Sequence, residues 1–316
     1  MRIALFACPN PFLSSPTAHF PQSLLYVGAA IKRCGHDPFI VDLRARKEVS
    51  KTDIPDCDIV GVSVTTGEIS YAKQIARFAR EIGLRSIIGG AHATFLPEDC
   101  YDDFDYVIQG DGELAIQKVI QDIETCRGHP LKKGHPLLYK MPLKTLSGWL
   151  PAWELIGERG LSKELFTGGG YGQGPLTAGI ASSRGCPYHC SYCRSERDHV
   201  RYRPIGDVVT EIEDLIQRYG VRHYRFYDES MTLNKKRALE LFAALGPLGI
   251  HIRAHTRSDA WDNEIADAYK KAGGEEMGFG FESTDGTVLR AIRKHETVTQ
   301  YQEAVSICNR HDILCK

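Results

Sequence analysis

The sequence has no apolar run approaching the ~20 residues of a membrane-spanning helix. Its opening, MRIALFACPN, reaches Pro9 and polar residues where a secretory leader would continue its apolar core. Neither sign of charge is in excess: 39 Lys and Arg stand against 40 Asp and Glu, a formal charge of −1, so no surface for nucleic acid or a membrane is expected. No GxGxxG is present, which disfavours a dinucleotide. A disulfide framework is lacking too. Seven of the ten cysteines (Cys8, Cys34, Cys57, Cys100, Cys126, Cys308 and Cys315) are scattered singly, as buried thiols are in a reducing compartment. The expectation is a cytoplasmic globular protein of about two domains.

The remaining three cysteines are not scattered. Arg184 through Cys193 read RGCPYHCSYC, placing Cys186, Cys190 and Cys193 in a CxxxCxxC run directly after an apolar, strand-like segment. Three thiolates cannot fill the four iron corners of a cubane cluster, so a cluster held here leaves one iron open to an outside ligand. A zinc site and three inert thiols are the alternatives. Zinc sites pair C-x₂₋₄-C with a second Cys/His pair farther along, and no clear second pair follows. Inert thiols prefer apolar surroundings, whereas these sit among Arg184, Gly185, Pro187, Tyr188, His189, Ser191 and Arg194.

The loop resembles the signature of the radical S-adenosylmethionine (SAM) enzymes. The resemblance implies that the three cysteines ligate a 4Fe-4S cluster whose open iron chelates the methionine part of SAM. It further implies one-electron cleavage of SAM to a 5′-deoxyadenosyl radical, with Tyr192 packing near the adenine.

Ahead of this loop the chain alternates strand-like and helix-like stretches. Ile3 to Ala7, Phe39 to Leu43, Asp58 to Val64, Arg85 to Gly89 and Tyr106 to Gln109 read as strands; Gln22 to Cys34, Glu68 to Ile82 and Gly112 to Thr125 read as helices. Near-continuous apolar runs such as DIVGVSV and RSIIGG suit a parallel sheet covered on both faces, so a doubly wound α/β domain is expected, with ligands at the carboxyl ends of its strands. The loops there read SVTTGEIS, GGAHATFLPED and GDGE. Together, in this order and before a CxxxCxxC domain, they resemble the Rossmann-like cobalamin-binding domain of the cobalamin-dependent radical SAM class.

That resemblance implies cobalamin contacts at Ser63, Thr65 and Thr66, at Gly89, Gly90 and His92 of a GGxHxT turn, and at Gly110, Gly112 and Glu113 of a GEGE turn in which Asp111 replaces a glutamate. A histidine beside a Gly-Gly turn more often bonds locally or lines the pocket than ligates cobalt, and His92 is read so. The DxHxxG motif that supplies an axial histidine in other cobalamin proteins is absent after the first strand. TAHFPQ puts Thr17 where the aspartate would stand, so His19 is not expected to ligate.

The domain boundaries read as 1–130, a Pro/Gly/Lys-rich linker at 131–175, and a β/α barrel from 176 to 316. In the barrel, strands are expected at Thr177 to Ser182, His223 to Tyr227, His251 to His255 and Met277 to Phe281, with helices between them and after the last. The sequence ends as a fifth strand begins. Radical SAM barrels of this class have six units, so about two, on the order of 60 residues at ~30 per unit, are expected to be missing. At the strand ends the resemblance implies SAM contacts at Asp228, Glu229, Arg257, Glu282 and Ser283. The function it implies is C-methylation of an unactivated carbon in a small-molecule or natural-product substrate, with a flavodoxin or ferredoxin as electron donor. Oxidative cyclisation or rearrangement without methyl transfer, and a truncated non-catalytic cofactor-binding protein, are the other readings.

Overall fold

A computed structural model describes residues 1–17, 20–125, 137–164, 171–194 and 199–316. The chain divides into two compact units, residues 1–144 with 149–160 and residues 145–148 with 161–316.

The first unit is built on β1 (Arg2–Ala7), β2 (Asp37–Asp42), β3 (Ile59–Ser63), β4 (Arg85–Gly89), β5 (Tyr106–Gln109) and β6 (Leu137–Lys140), all parallel, in the order β2-β1-β3-β4-β5-β6. β1 is an interior strand between β2 and β3, and its residues 3–7 are buried. Alternation divides them between two layers. Ala4 and Phe6 join Ala72, Ile75, Ala76 and Ala79 of α2 (Ile69–Glu81) in one core. On α1 (Ser23–Arg33), Gly28 lets Leu5 and Leu155 close in, since a Cβ there would meet Leu155 Cδ1 at 2.4 Å. The short α3 (Ala91–Phe95) follows β4, and α4 (Glu113–Thr125) follows β5. The expected doubly wound domain is therefore present. β6 is an addition: it lies in sequence read as linker, where four residues flanked by Pro and Lys give no periodic signal.

The second unit carries β7 (Ser162–Glu164), β8 (Tyr171–Ile180), β9 (Ser183–Arg184), β10 (Arg201–Tyr202), β11 (His223–Phe226), β12 (His251–Thr256), β13 (Gly274–Phe279) and β14 (Leu314–Cys315). The main sheet runs β14-β13-β12-β11-β8-β7. It is parallel from β8 to β14, with β7 antiparallel at the edge and β9–β10 a separate ribbon.

Helices α5 (Ile205–Tyr219), α6 (Lys235–Leu245) and α7 (Asn263–Lys271) follow β10, β11 and β12, and α8 (Gly286–Ala291) and α9 (Val298–Arg310) both follow β13. Their limits are local chemistry. Gly220 ends α5 in a left-handed conformation, Asn234 and Asp262 cap α6 and α7, and Thr297 with Gln300 forms a capping box on α9. Tyr224, Phe226, Ile252, Ala254 and Met277 are fully buried strand residues, as are Leu215, Leu241, Phe242 and Tyr269 on the helices. Between the apolar positions stand Arg225, Arg253 and Glu276, in register across β11, β12 and β13 and also buried. Among the described residues β14 pairs only with β13, at the edge of the sheet.

Candidate functional site

The cysteine loop leaves the carboxyl end of β8 from an anchored base. Asp228, at the end of β11, accepts from Ser182 N–H at 2.9 Å, from Ser182 Oγ at 2.7 Å and from Ser183 Oγ. Arg237 donates to the carbonyls of Ser182, at 3.1 Å, and Arg203, at 2.9 Å. Arg203 in turn donates to Ala181 O at 2.9 Å and pairs with buried Glu211 at 2.6 Å. Sequence reasoning marked Asp228 and missed Arg203, Glu211 and Arg237. Nothing in a lone arginine on a helix shows that it reaches back to a loop about 50 residues earlier.

Asp228 is 3% exposed and its carboxylate is occupied by these donors, which makes it a clamp between two strand ends. Asp228→Ala would strand buried donors and is expected to destabilise the chain by about 3 kcal/mol. Asp228→Asn, which keeps acceptors, should cost less. Urea unfolding gives the order; an Asp228→Ala protein of unchanged midpoint would refute the clamp.

Beyond Gly185, at φ +93°, the three cysteines spread over the loop, with Cys193 N–H closing a turn onto Cys190 O at 3.1 Å. Two ties hold the loop from the tips of later strands. The Arg257 guanidinium lies 3.6 Å from the Tyr188 ring centroid, a stacked cation–π geometry. It also donates to Asp259, at 2.9 and 2.7 Å, and to Lys294 O at 3.1 Å, with Glu296 3.4 Å away. Tyr192, half exposed, donates to Glu282 Oε1 at 2.9 Å. Glu282 takes φ +61°, a left-handed conformation costing a non-glycine residue about 1 kcal/mol. Glu229, after β11, is exposed, and Ser283, after β13, is half-buried. The structure thus brings Tyr192 and Glu282 into direct contact, and it engages Arg257 with the protein itself.

Three thiolates on one short loop are the donor set that holds a 4Fe-4S cluster with one iron open. A tetrahedral zinc with Zn–S near 2.3 Å requires sulfurs roughly 3.8 Å apart. Among the described residues the one group of three donors all within 4.8 Å of one another is His223, His251 and Glu275; the loop cysteines do not form such a group. Burial and the nearby Cys193 and Glu229 push the Cys186 thiol up. Iron would reverse this, because a coordinating thiol is deprotonated by the ion's charge.

In the first unit a cavity of about 490 Å³ lies at the carboxyl ends of β1, β3 and β4. The strand order reverses between β1 and β3, where doubly wound sheets bind ligands, and the volume lies within the ~300–1,000 Å³ of small-molecule sites. Its walls include Leu13, Phe20, Ser23, Ser63, Thr65 and Gly90. Ser63 Oγ is 2.8 Å from Ser23 Oγ, and Thr65 forms a capping box with Glu68. Asn10, Ser23, Arg44, Ser63, Thr65 and Glu68 stand among apolar walls such as Leu13 and Phe20, a mixed lining that fits part of a large, amide-rich cofactor such as cobalamin.

Of the residues marked from sequence, Ser63, Thr65 and Gly90 line this cavity; Thr66, Gly89, His92, Gly110, Gly112 and Glu113 are not on its walls. His92 is 3% exposed and held by Thr66 Oγ1 at 3.1 Å and Asp99 Oδ2 at 2.9 Å, the local bonding expected of it. Gly112 is a packing site, where a Cβ would meet Val27 Cγ2 at 2.7 Å. Glu113 is buried at the start of α4. His19 lies outside the described residues. Sequence reasoning missed Phe20, Ser23 and the buried Arg44, which stacks on Phe20 and chelates Asp42; the loop after β1 offered no motif to find them.

Residues 180–316 match the family model of the radical SAM superfamily, and residues 12–120 match that of the B12 binding domain. An uncharacterized methyltransferase of Pyrococcus horikoshii, PH0819, is 29% identical over 92% of this chain and 66% of its own. The anaerobic magnesium-protoporphyrin IX monomethyl ester cyclase of Synechocystis is 27% identical over 99% of this chain and 67% of its own. The solved structure of the radical S-adenosylmethionine methyltransferase TsrM from Kitasatospora setae, with tryptophan substrate and a SAM analog bound, superposes with a TM-score of 0.77 at 18% identity, covering 99% of this chain and 66% of that one. The chain therefore spans about two thirds of the length of each. Among the described residues no helix is long and apolar enough to cross a membrane.

Proposed function

A chain that sets a B12 binding domain ahead of a radical SAM domain belongs to the cobalamin-dependent radical SAM family, and from that premise we propose that it methylates an unactivated carbon of a small molecule. The observation that carries the proposal is the cysteine trio at the carboxyl end of β8, on a loop anchored from three later strand ends. When bound, the cluster supplies the electron that cleaves SAM, and cobalamin supplies a methyl carrier.

The chain's own residues divide the remaining work. Cys186, Cys190 and Cys193 would hold three irons of the cluster and leave the fourth open to SAM. Tyr192, fixed by Glu282, forms an aromatic wall for the adenine, while Glu229, Glu282 and Ser283 offer acceptors to the amino group and the ribose. Asp228 and Arg257 position the loop from beneath. Ser63, Thr65 and Gly90 form the cobalamin pocket, whose neighbouring strand ends are shaped by Thr66, Gly89, His92, Gly110, Gly112 and Glu113. A flavodoxin or ferredoxin in the cytoplasm donates the electron.

The test is anaerobic turnover by protein loaded with iron, sulfide and cobalamin, given reductant and SAM carrying a deuterated methyl group. Methyl transfer predicts both 5′-deoxyadenosine and S-adenosylhomocysteine, with deuterium in the product. 5′-Deoxyadenosine alone would favour the cyclisation that the name of the Synechocystis relative describes. Neither product would overturn the enzyme reading in favour of a cofactor-binding protein.

A further inference from the structure

At the end of the second sheet opposite the cysteine loop, three strands begin with potential ligands. His223 opens β11, His251 opens β12, and Glu275 is the second residue of β13. His223 and His251 are direct partners in the parallel register, so their side chains project from the same face. The register then shifts between Ile252 and Arg253, giving β13 an additional residue opposite this point, and that residue is Glu275. Gly273 permits the irregularity: it lies at φ +98°, and a Cβ there would stand 1.8 Å from Ile250 O.

The three donor atoms all lie within 4.8 Å of one another. His251 Nδ1 is 2.6 Å from Glu275 Oε1, and the two imidazoles stack with centroids 4.3 Å apart and planes 11° from parallel. We propose that His223, His251 and Glu275 form a binding site for a divalent transition ion, zinc above all, distinct from the cluster and placed at the amino ends of the strands.

Two imidazoles and one carboxylate are a donor set that zinc takes with water in the fourth position. Bond lengths of 2.0–2.2 Å require donors roughly 3.4 Å apart in a tetrahedral site. His251 Nδ1 and Glu275 Oε1 already stand closer than this, at 2.6 Å, so binding has to set that pair slightly apart and bring the His223 nitrogen to the same spacing. That is within the swing of an imidazole about its broad terminal torsion, and both His251 and Glu275 have room to move, at 45% and 34% side-chain exposure. Closure tilts the stacked rings so that their lone pairs converge. An ion here would tie the starts of three parallel strands together, a structural role outside SAM chemistry and independent of the function proposed above.

Calorimetric titration of zinc into the cluster-loaded full chain, freed of adventitious metal by chelation, is the test. One zinc per chain is expected, with affinity falling at least about tenfold in His223→Ala and in His251→Ala. Glu275→Gln should fall less. Zinc K-edge absorption should show nitrogen and oxygen donors without sulfur. Circular dichroism of each variant establishes that it is folded, since the three residues are only half-buried. Equal uptake by the wild type and the His223→Ala/His251→Ala chain, or sulfur in the zinc shell, would overturn the proposal.

Discussion

Replacing any one of Cys186, Cys190 and Cys193 by alanine is expected to remove the cluster and, with it, all cleavage of SAM. A cubane held by three thiolates already has one open corner; a second iron left without its protein ligand has no donor to take the place of the lost sulfur. Iron after reconstitution should fall from about four per chain to below about one, and 5′-deoxyadenosine to the level of the protein-free control. The fold should survive. The loop hangs from Asp228, Arg237 and Arg257, and none of those ties runs through a cysteine side chain. Unfolding midpoints close to wild type would therefore accompany complete loss of activity. Cys57→Ala serves as the control, a half-buried thiol in the first unit that should change neither iron nor product. Retained cleavage in any of the three loop variants would sink the cluster assignment.

The contrast between the cysteines and their neighbours shows what a sequence makes legible. Cys186, Cys190 and Cys193 are read from spacing, because a metal core needs its ligands on one short turn. The strands of the first sheet are legible for a similar reason: burial on both faces writes an apolar run into four or five consecutive residues. What a side chain faces is written nowhere locally. Asp228 and Glu229 are adjacent and of one chemistry, yet Asp228 is buried against Ser182 and Ser183 while Glu229 is exposed. Arg257 reads as a cation at a strand end. Its stacking on Tyr188 and its bonds to Asp259 and Lys294 depend on residues far along the chain. The glycine-rich stretch before β8 reads as linker because glycine has low strand propensity, but β8 begins there, at Tyr171, pinned by β7 on one side.

Gly90→Ala is expected to cost about 3 kcal/mol of stability and to abolish cobalamin binding by whatever remains folded. Gly90 lies at φ +91° and ψ −171°, a region that only glycine populates freely. A Cβ there would approach Val64 N at 2.6 Å, Val64 O at 2.7 Å and Ser63 Oγ at 2.9 Å. Val64 cannot yield. Its N–H donates to Gly89 O at 3.1 Å, and its carbonyl accepts from His92 N–H at 3.0 Å, so relief on one side breaks a bond on the other. Any shift also moves Ser63 and the wall of the 490 Å³ cavity.

Gly110 separates backbone strain from pocket damage. It too has positive φ, +75°, but a Cβ there meets nothing within 4 Å. Gly110→Ala should cost only about 1 kcal/mol and leave cobalt content near one per chain. Urea unfolding and cobalt analysis after anaerobic loading measure both effects. If Gly90→Ala kept its cobalamin, the cavity at the β1–β3 switch point would not be the cofactor site. If Gly110→Ala lost cobalamin while remaining stable, the turn after β5 would be a direct contact, and the pocket would extend across the sheet to it.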